Sequence, residues 1–259
     1  MTIRLLAAAT LLFAASSLCA QDYKYLVSVA TFKVPDGKES AFIEKGKAFT
    51  PPLDKLMASG EVLAYGMDVD MLHVPSENNV AFWVVVPNYD ALEKEGNAIE
   101  GFIKANSMLM GNLTSMADMT THHDFVLRAR DENHKAVPAG VKPVGDFDIE
   151  KVKPGRMPDF MGLFTKYDKP VYDKLITDGV IYAYEVDTEA VHTMEPGLVW
   201  TIVTMPNLAA KDKVNAAFDA AQKKLPEIER NLVEKLYYDI VEPGSHRDSL
   251  SVSEVYKAK

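Results

Sequence analysis

Gly60-Glu-Val-Leu-Ala-Tyr-Gly-Met-Asp-Val-Asp-Met-Leu-His73 is one of two similar stretches that decide the fold of this 259-residue chain. The other is Gly179-Val-Ile-Tyr-Ala-Tyr-Glu-Val-Asp-Thr-Glu-Ala-Val-His192. Aligned at a constant offset, residues 54–73 and 173–192 share eight identical positions: Asp54/Asp173, Lys55/Lys174, Leu56/Leu175, Gly60/Gly179, Ala64/Ala183, Tyr65/Tyr184, Asp68/Asp187 and His73/His192. Chance would give roughly one or two, so the self-match indicates an internal repeat.

The first 20 residues have the pattern of a secretory signal peptide. Arg4 precedes an apolar run over residues 5–15, which is too short to span a bilayer, and small residues follow up to Ala20. We predict cleavage after Ala20. A lipoprotein signal ending at Cys19 is the alternative, although Leu18 is bulky where a small residue is expected. The sequence therefore predicts a periplasmic or secreted protein.

The composition of the chain excludes several classes of function. Cys19 is the only cysteine, so a mature chain would lack disulfides, thiol nucleophiles and cysteine metal sites. The formal net charge of −9 and the absence of a basic run argue against a nucleic-acid partner. No stretch beyond the signal reaches membrane-spanning length, and no phosphate-binding loop, nucleophile elbow or His-Glu-x-x-His motif occurs.

The hydrophobic pattern after residue 22 predicts the element order β-α-β-β-α-β, which is the ferredoxin-like unit. The order then restarts after a stretch rich in Pro and Gly. Pro170 aligns with Pro51 and predicts the same helix break, whereas Phe160 aligns with Phe42 one residue out of the main offset. The predicted organisation is a signal peptide (1–20), a first ferredoxin-like unit (21–130), a linker (131–145) and a second ferredoxin-like unit (146–259).

The predicted fold class is α+β. In residues 80–86 both the odd-numbered and the even-numbered residues are apolar, so neither face of that strand is expected to be exposed to solvent. We therefore predict two tandem βαββαβ units whose antiparallel sheets pack face to face as an α+β barrel. Burial of a few hundred Å² between them would contribute several kcal/mol at roughly 25 cal/mol per Å².

The unit order, the doubled arrangement and the apolar strands resemble the dimeric α+β barrel superfamily in its tandem form. The resemblance covers most of the mature chain but includes no motif of a particular member family. It implies kinship with antibiotic-biosynthesis-type and haem-degrading monooxygenases, chlorite dismutase-like haem proteins, NIPSNAP-like proteins and small-molecule isomerases. A fold alone does not choose among these activities.

The candidate ligand-binding residues are the polar identities of the repeat: Tyr65, Tyr184, Asp68, Asp187, His73 and His192. A tyrosine hydroxyl in an apolar cavity needs a partner that a ligand can supply, and small Ala64 and Ala183 leave room beside the rings. Asp68 with Asp70, or Asp187 with Glu189, would share one strand face near a histidine, as divalent-metal ligands could. The simpler interpretations are core tyrosines and a polar strand end before a hairpin.

Two other polar segments can be interpreted either as structural or as functional. His122-His123-Asp124 and His246-Arg247-Asp248 precede the fourth strands, where a His beside an Asp either caps the strand or acts as an oriented base. His122 or His123 could instead ligate haem iron. Trp83 and Trp200 occupy different registers of corresponding strands, which favours packing over a shared catalytic role.

The sequence therefore predicts an exported small-molecule-binding barrel whose ligand is apolar or aromatic. A monooxygenase-like or haem-dependent enzyme and a structural or interaction module using exposed strand edges are the alternatives. No catalytic residue is assigned and no cofactor is predicted, with haem or a divalent metal left open. The predicted partner is a small-molecule ligand, and a homodimer is left open.

Overall fold

The computed structural model describes residues 23–72, 74, 77–191, 193 and 195–259. In the first half of the chain the strands are β1 (Leu26–Lys33), β2 (Ala64–Asp70), β3 (Val80–Val86) and β4 (Asp118–His134), and the helices are α1 (Glu39–Gly46), α2 (Thr50–Ser59), α3 (Tyr89–Ala105) and α4 (Ser107–Thr114). In the second half the strands are β5 (Val144–Lys151), β6 (Ala183–Glu189), β7 (Leu198–Met205) and β8 (Arg247–Ala258), and the helices are α5 (Met157–Leu163), α6 (Lys169–Thr177), α7 (Ala209–Lys224) and α8 (Glu227–Ile240). The two halves thus have the same element order. The predicted signal peptide lies outside the described residues.

The eight strands form one closed antiparallel barrel in the order β1-β3-β2-β8-β5-β7-β6-β4. Each half contributes a four-stranded sheet, and the predicted packing of these sheets as an α+β barrel is confirmed. The sheets are also joined at both edges, because β2 pairs with β8 and β4 pairs with β6. Each of the eight described strands therefore has a neighbour on both sides, which leaves none of them free to add a strand from a partner. This disfavours the interaction module through exposed edges.

The glycines that begin the two quoted stretches end the helices before β2 and β6. Gly60 has φ 95° and Gly179 has φ 76°, a left-handed conformation that residues with a Cβ rarely adopt. The backbone N–H of Gly60 donates to the carbonyl of Leu56, which closes α2. The repeated glycine is thus explained by the helix ends, not by a ligand.

The first helical regions of the two halves differ in the turn that links their helices. A 3₁₀ turn over Lys47–Phe49 links α1 to α2, whereas a five-residue π turn over Phe164–Asp168 links α5 to α6. A π turn widens the helix by one residue per turn, so it accommodates the offset between Phe160 and Pro170 that the alignment requires. Such turns are frequent at functional sites, and this one ends at Asp168.

Alternating residues of each strand face either the barrel interior or the surrounding helices. The interior holds an apolar cluster with Trp83, Phe125 and Trp200, in which the rings of Phe125 and Trp200 are stacked at 6.2 Å. The opposite face of each sheet packs on its own helices and forms separate apolar clusters in the two halves. The protein therefore offers three places for a site: the barrel interior and one sheet–helix layer per half.

The strand boundaries differ from the predicted ones at the connection between the halves. The structure extends β4 to His134 and starts β5 at Val144, whereas we predicted a strand end at Arg130 and a linker over 131–145. The extra residues of β4 pair with β6, after a bulge between Ala129 and Asp131. This pairing crosses from one half to the other, so local sequence patterns could not reveal it.

Replacement of Gly66 by Ala should destabilise the barrel by about 2 kcal/mol or more, the usual effect of forcing atoms into a packed core. A Cβ on Gly66 would lie 2.3 Å from Cζ2 of Trp83 and 2.7 Å from the backbone oxygen of Val255. Gly96→Ala, in α3, is the matched control, because a Cβ there meets nothing within 4 Å. It should be neutral or stabilising by about 0.5–1 kcal/mol. Urea unfolding of both variants measures the difference; equal stabilities would contradict the close packing at Gly66.

Candidate functional site in the second half

Tyr65 and Tyr184 face the helices and not the barrel interior. The hydroxyl of Tyr65 donates to Oδ1 of Asp54 at 2.7 Å, and that of Tyr184 donates to Oδ1 of Asp173 at 3.1 Å. Both side chains are almost fully buried. Each hydroxyl thus has a protein partner from the preceding helix, and that pair of residues, Asp and Tyr, is identical in the two halves. A role of these tyrosines in ligand binding stays a prediction.

Asp68 and Asp187 lie on the opposite face, inside the barrel. Oδ2 of Asp68 accepts a hydrogen bond from Nε1 of Trp83 at 2.9 Å, whereas neither carboxylate oxygen of Asp187 has a hydrogen-bond partner in the described structure. Burial raises the pKa of Asp68 to about 6. Burial, and then the nearby carboxylate of Glu185, raise the pKa of Asp187 well above its usual range.

The remaining candidates of the repeat, His73 and His192, lie outside the described residues, so the metal site that the sequence suggested there stays a prediction. Its second acids are described. Oδ1 of Asp70 accepts from Ser249 Oγ at 3.3 Å, and Oε1 of Glu189 accepts from the backbone N–H of Thr193 at 3.2 Å.

A cavity of about 440 Å³ lies between the second sheet and its helices. Aromatic rings from α5, the π turn, α6, α7 and α8 form much of its helix side: Phe160, Phe164, Tyr172, Phe218 and Tyr237. Five carboxylates line the rest: Asp146, Asp148, Glu150, Asp168 and Asp248. We call this space the second-half cavity. It combines an apolar wall with a strongly acidic one.

The acidic wall follows from alternation along β5. Asp146, Asp148 and Glu150 are two residues apart, so all three face the helices. Burial raises the pKa of Glu150 to about 7, with repulsion from Asp148 as a smaller cause. Asp168, at the end of the π turn, also has its pKa raised to about 7, first by burial and then by the Asp148 carboxylate. Burial also raises the pKa of Asp148. Three of the five acids are therefore held where their charges are costly, a pattern typical of functional sites.

Two basic side chains, Lys211 and His246, also line the second-half cavity. The ammonium of Lys211 donates to Oδ2 of Asp146, which engages that acid. Nε2 of His246 lies 3.3 Å from Oδ1 of Asp148 and 3.4 Å from Oδ1 of Asp248. This arrangement results from the pairing of β5 with β8, in which Asp248 lies directly opposite Asp148.

The corresponding layer of the first half is filled with aromatic rings. In β1 and β3, Ala30 lies opposite Phe82, at the place where β5 and β7 put Asp148 opposite Thr201. Phe32 takes the place of Glu150, and its ring packs at 5.2 Å from Phe42 and 5.3 Å from Phe82. The acidic wall is therefore a property of the second half.

The His–Asp pair, in contrast, is present in both halves. Nε2 of His122 lies 3.3 Å from Oδ2 of Asp124, its Nδ1–H donates to the carbonyl of Thr31 at 3.0 Å, and its ring stacks on Phe32 at 4.5 Å. His122 is thus held on all sides by protein groups. The surroundings of His246 in the second half are different, because Glu150 occupies the position that Phe32 has in the first half.

Sequence reasoning did not identify the second-half cavity, although a signal was present. Asp146-x-Asp148-x-Glu150 places acids at every second position of a predicted strand that packs on helices. The informative pattern is this departure of the second half from the repeat. Most identities serve the fold, as the tyrosines and glycines show.

A second cavity, of about 430 Å³, lies beside β4 and α5. It is lined by Arg128, Arg130, Glu189 and Thr188 together with apolar side chains, and Nε of Arg128 donates to Oγ1 of Thr188 at 3.2 Å. The second-half cavity differs in having five aromatic rings and a cluster of carboxylates, two of which have pKa values raised to about 7. We therefore regard the second-half cavity as the candidate site.

No protein-family model matches the chain, and no curated protein matches it significantly. Among solved structures, it is similar to a candidate monooxygenase from Fusobacterium nucleatum subsp. nucleatum, with a TM-score of 0.64 and 11% identity over 92% of this chain and 95% of that chain. A candidate monooxygenase from Lactobacillus acidophilus gives a TM-score of 0.62 and 15% identity over 91% and 96% of the two chains. An anthrone oxidase-like protein gives 0.52 and 13% over 91% and 93%. At such identities the similarity establishes the fold, and the predicted α+β barrel architecture is confirmed.

Within the described residues, no helix has both the length and the apolar character needed to cross a bilayer.

Proposed function

We propose that this chain binds a small molecule in the second-half cavity. The molecule has an apolar or aromatic body, which lies on the rings, and a polar end, which faces the carboxylates of β5. The observation that carries the proposal is the contrast between the halves. The same sheet–helix layer is packed with phenylalanine rings in the first half and holds a cavity of about 440 Å³ in the second.

The rings of the cavity wall are arranged to receive a flat or apolar body. Tyr172 packs edge-on to Phe218 at 4.9 Å, and Phe164 lies 6.2 Å from Tyr172. Such ring pairs are rigid, so a ligand that packs on them loses little side-chain entropy. The volume lies within the range of about 300–1,000 Å³ that small-molecule sites occupy.

The acidic wall supports a second element of specificity. Buried carboxylates without partners are costly, and a hydrogen-bond donor or positive charge on the ligand would offset that cost. An analogue without that polar end should therefore bind much more weakly than the natural ligand.

A monooxygenase-like activity is the second candidate. It is supported by the similarity of the fold, across nine-tenths of the chain, to two candidate monooxygenases. Under this candidate the ligand of the second-half cavity is a substrate. Oxygen uptake on addition of the identified ligand to the purified protein would distinguish it from a binding protein, which should consume none.

Haem does not fit the residues present. Its apolar ring and two propionates would lie against five carboxylates in the second-half cavity, with Lys211 already engaged by Asp146. His122, which the sequence offered as an iron ligand, has one ring nitrogen on a backbone carbonyl and the other beside Asp124. Haem is therefore assigned neither to the second-half cavity nor to His122.

Export of the protein is part of the proposal, supported by the pattern of residues 1–20. The mature chain should begin at Gln21 when the full sequence is expressed in a Gram-negative host. Terminal sequencing of the periplasmic fraction tests this. A mature N-terminus at Met1 would contradict export, and one at Cys19 would show the lipoprotein alternative.

Native mass spectrometry of the protein purified from its own cells tests ligand binding. We expect an additional mass of roughly a few hundred daltons that is lost on denaturation, as a cavity of this size implies. The extracted compound should raise the melting temperature of stripped protein in proportion to its concentration. A protein that carries no added mass, and is not stabilised by its own cell extract, would contradict the proposal.

A further inference from the structure

The geometry points to a divalent-cation site at the acidic wall of the second-half cavity, with Asp148, Glu150 and His246 as ligands. The inference deepens the proposed function and rests on it for the role of the cavity. It adds that a metal ion, and not the bare carboxylates, receives the polar end of the small molecule.

The three side chains converge from two adjacent strands. Asp148 and Glu150 share one face of β5, and His246 directly precedes β8, which pairs with β5. One ligand atom from each residue can be chosen so that all three lie within 4.8 Å of one another. Two carboxylate oxygens and one imidazole nitrogen form a mixed oxygen–nitrogen set that suits divalent ions of the first transition row.

An independent observation comes from the burial of Glu150. Only 8% of this residue is exposed, and its carboxylate, which borders the cavity, receives no hydrogen bond from the described residues. Oδ1 of the half-exposed Asp148 is itself buried, and its polar neighbour, Nε2 of His246, lies 3.3 Å away, which is longer than a charge-assisted hydrogen bond. Buried carboxylates normally have hydrogen bonds, a cation or a metal as compensation. A bound cation would supply it for both residues at once.

The comparison of the halves gives a third observation. The first half keeps the His122–Asp124 pair but has Ala30 and Phe32 where the second half has Asp148 and Glu150. The acids of β5 therefore line the cavity, whereas Phe32, at the position of Glu150, packs on Phe42 and Phe82. This correspondence is expected if acids and cavity serve one ligand assembly.

The rival explanation is that a protonated His246 neutralises the acids without a metal. The distances from Nε2 to the carboxylate oxygens of Asp148 and Asp248 are 3.3 and 3.4 Å. Charge-assisted hydrogen bonds are shorter, at about 2.7–2.9 Å. An imidazolium would also leave Glu150 without a hydrogen bond.

Three protein ligands leave coordination positions open on the cavity side. An oxygen atom of the small molecule, from a hydroxyl, carbonyl or carboxylate, can occupy one of them. The inferred ligand is thus an oxygen-bearing molecule with an apolar or aromatic body, and the metal makes an anionic oxygen acceptable beside the acids.

Mn²⁺ is the probe, because its paramagnetic resonance spectrum reports free and bound ion without any organic ligand. We expect one Mn²⁺ per chain with an affinity in or below about the 10 µM range, corresponding to roughly −7 kcal/mol. Glu150→Gln and His246→Gln should each weaken binding by at least about 100-fold, more than the loss of an outer partner does. Asp124→Asn, at the equivalent pair of the first half, is the matched control and should leave binding unchanged.

Glu150→Gln should fold, because it removes a buried charge and keeps the volume; Asp148→Asn provides a second variant if it does not. Absence of binding at about 1 mM Mn²⁺ or Zn²⁺, or binding that survives both ligand substitutions, would overturn the inference. An organic ligand that still copurifies with a chain unable to bind metal would overturn it too, while leaving the proposed function in place.

Discussion

Asp187→Asn should raise the melting temperature by about 2–6 °C at pH near 8 and change it little at pH near 5. Asp187 is fully buried inside the barrel, and both of its carboxylate oxygens lack a hydrogen bond in the described structure. Burial, followed by repulsion from Glu185, raises the pKa of Asp187 well above its usual range. At high pH the chain therefore holds a charge that water would solvate far better, and the amide removes it.

The sign of the pH dependence follows from proton linkage. An acid whose pKa is raised on folding binds more protons in the folded chain, so its contribution to the free energy of unfolding is complete below the unfolded pKa. That contribution is lost as the pH rises through the folded pKa. Glu185, like Glu150, has its pKa raised to about 7, first by burial, and the same rise occurs for Asp168. The wild-type protein should consequently be more stable near pH 5 than near pH 8.

Asp68→Asn is the matched variant, since Asp68 occupies the equivalent position in the first half. Trp83 donates to Asp68, and burial raises the pKa of Asp68 only to about 6. The increase in melting temperature caused by Asp68→Asn should therefore be smaller and should appear at lower pH. Asp219→Asn, on the exposed side of α7, controls for the change in net charge. Thermal unfolding of the three variants across this pH range measures the effect. A gain for Asp187→Asn that is equal at both pH values would contradict a raised pKa.

The register of the two tryptophans explains why the equivalent aspartates differ. The sequence placed Trp83 and Trp200 at different registers and predicted packing, and the structure puts Trp200 on the ring of Phe125. The first half thus has an indole donor for Asp68, and the second half has none for Asp187. The mismatch was visible in the sequence, but its consequence required knowing which strand faces meet inside the barrel.

The fold was predictable because it depends on local signals that occur twice. Gly60 and Gly179 end helices, and Pro51 and Pro170 break them at corresponding points. The pairing of β4 with β6 was not predictable, because it joins residues far apart in sequence that carry no shared local pattern. The closure of the barrel was therefore inferred only from the apolar faces that needed cover.

The candidate site was harder to predict than the fold. Identity between the halves drew attention to Tyr65 and Tyr184, whose hydroxyls bond to helix aspartates within their own half. The second-half cavity depends instead on what changed, including the extra residue of the π turn and the acids of β5. A sequence comparison of the halves reveals such changes, but only the strand register shows that Glu150 replaces a packed phenylalanine.

The combined variant Asp148→Ala, Glu150→Phe and Thr201→Phe, which copies Ala30, Phe32 and Phe82 of the first half, should abolish ligand binding and stabilise the chain. The introduced rings would meet Phe160, which already occupies the position of Phe42, and would fill the second-half cavity. In the first half these rings pack at 5.2 to 5.5 Å. Burial of two large side chains contributes about 1.5–3 kcal/mol each before losses from imperfect packing.

We expect a net gain of about 2–4 kcal/mol, or roughly 5–10 °C in melting temperature, with loss of both the copurified mass and Mn²⁺ binding. The control is the double variant Asp148→Asn with Glu150→Gln, which keeps the cavity volume. It should lose the metal ion and the copurified mass, but it should still take up the ligand when this is added at higher concentration, because the ring wall is intact. If the three-residue variant kept the copurified mass, the ligand would have to lie elsewhere, and the contrast between a packed half and a hollow half would have no functional meaning.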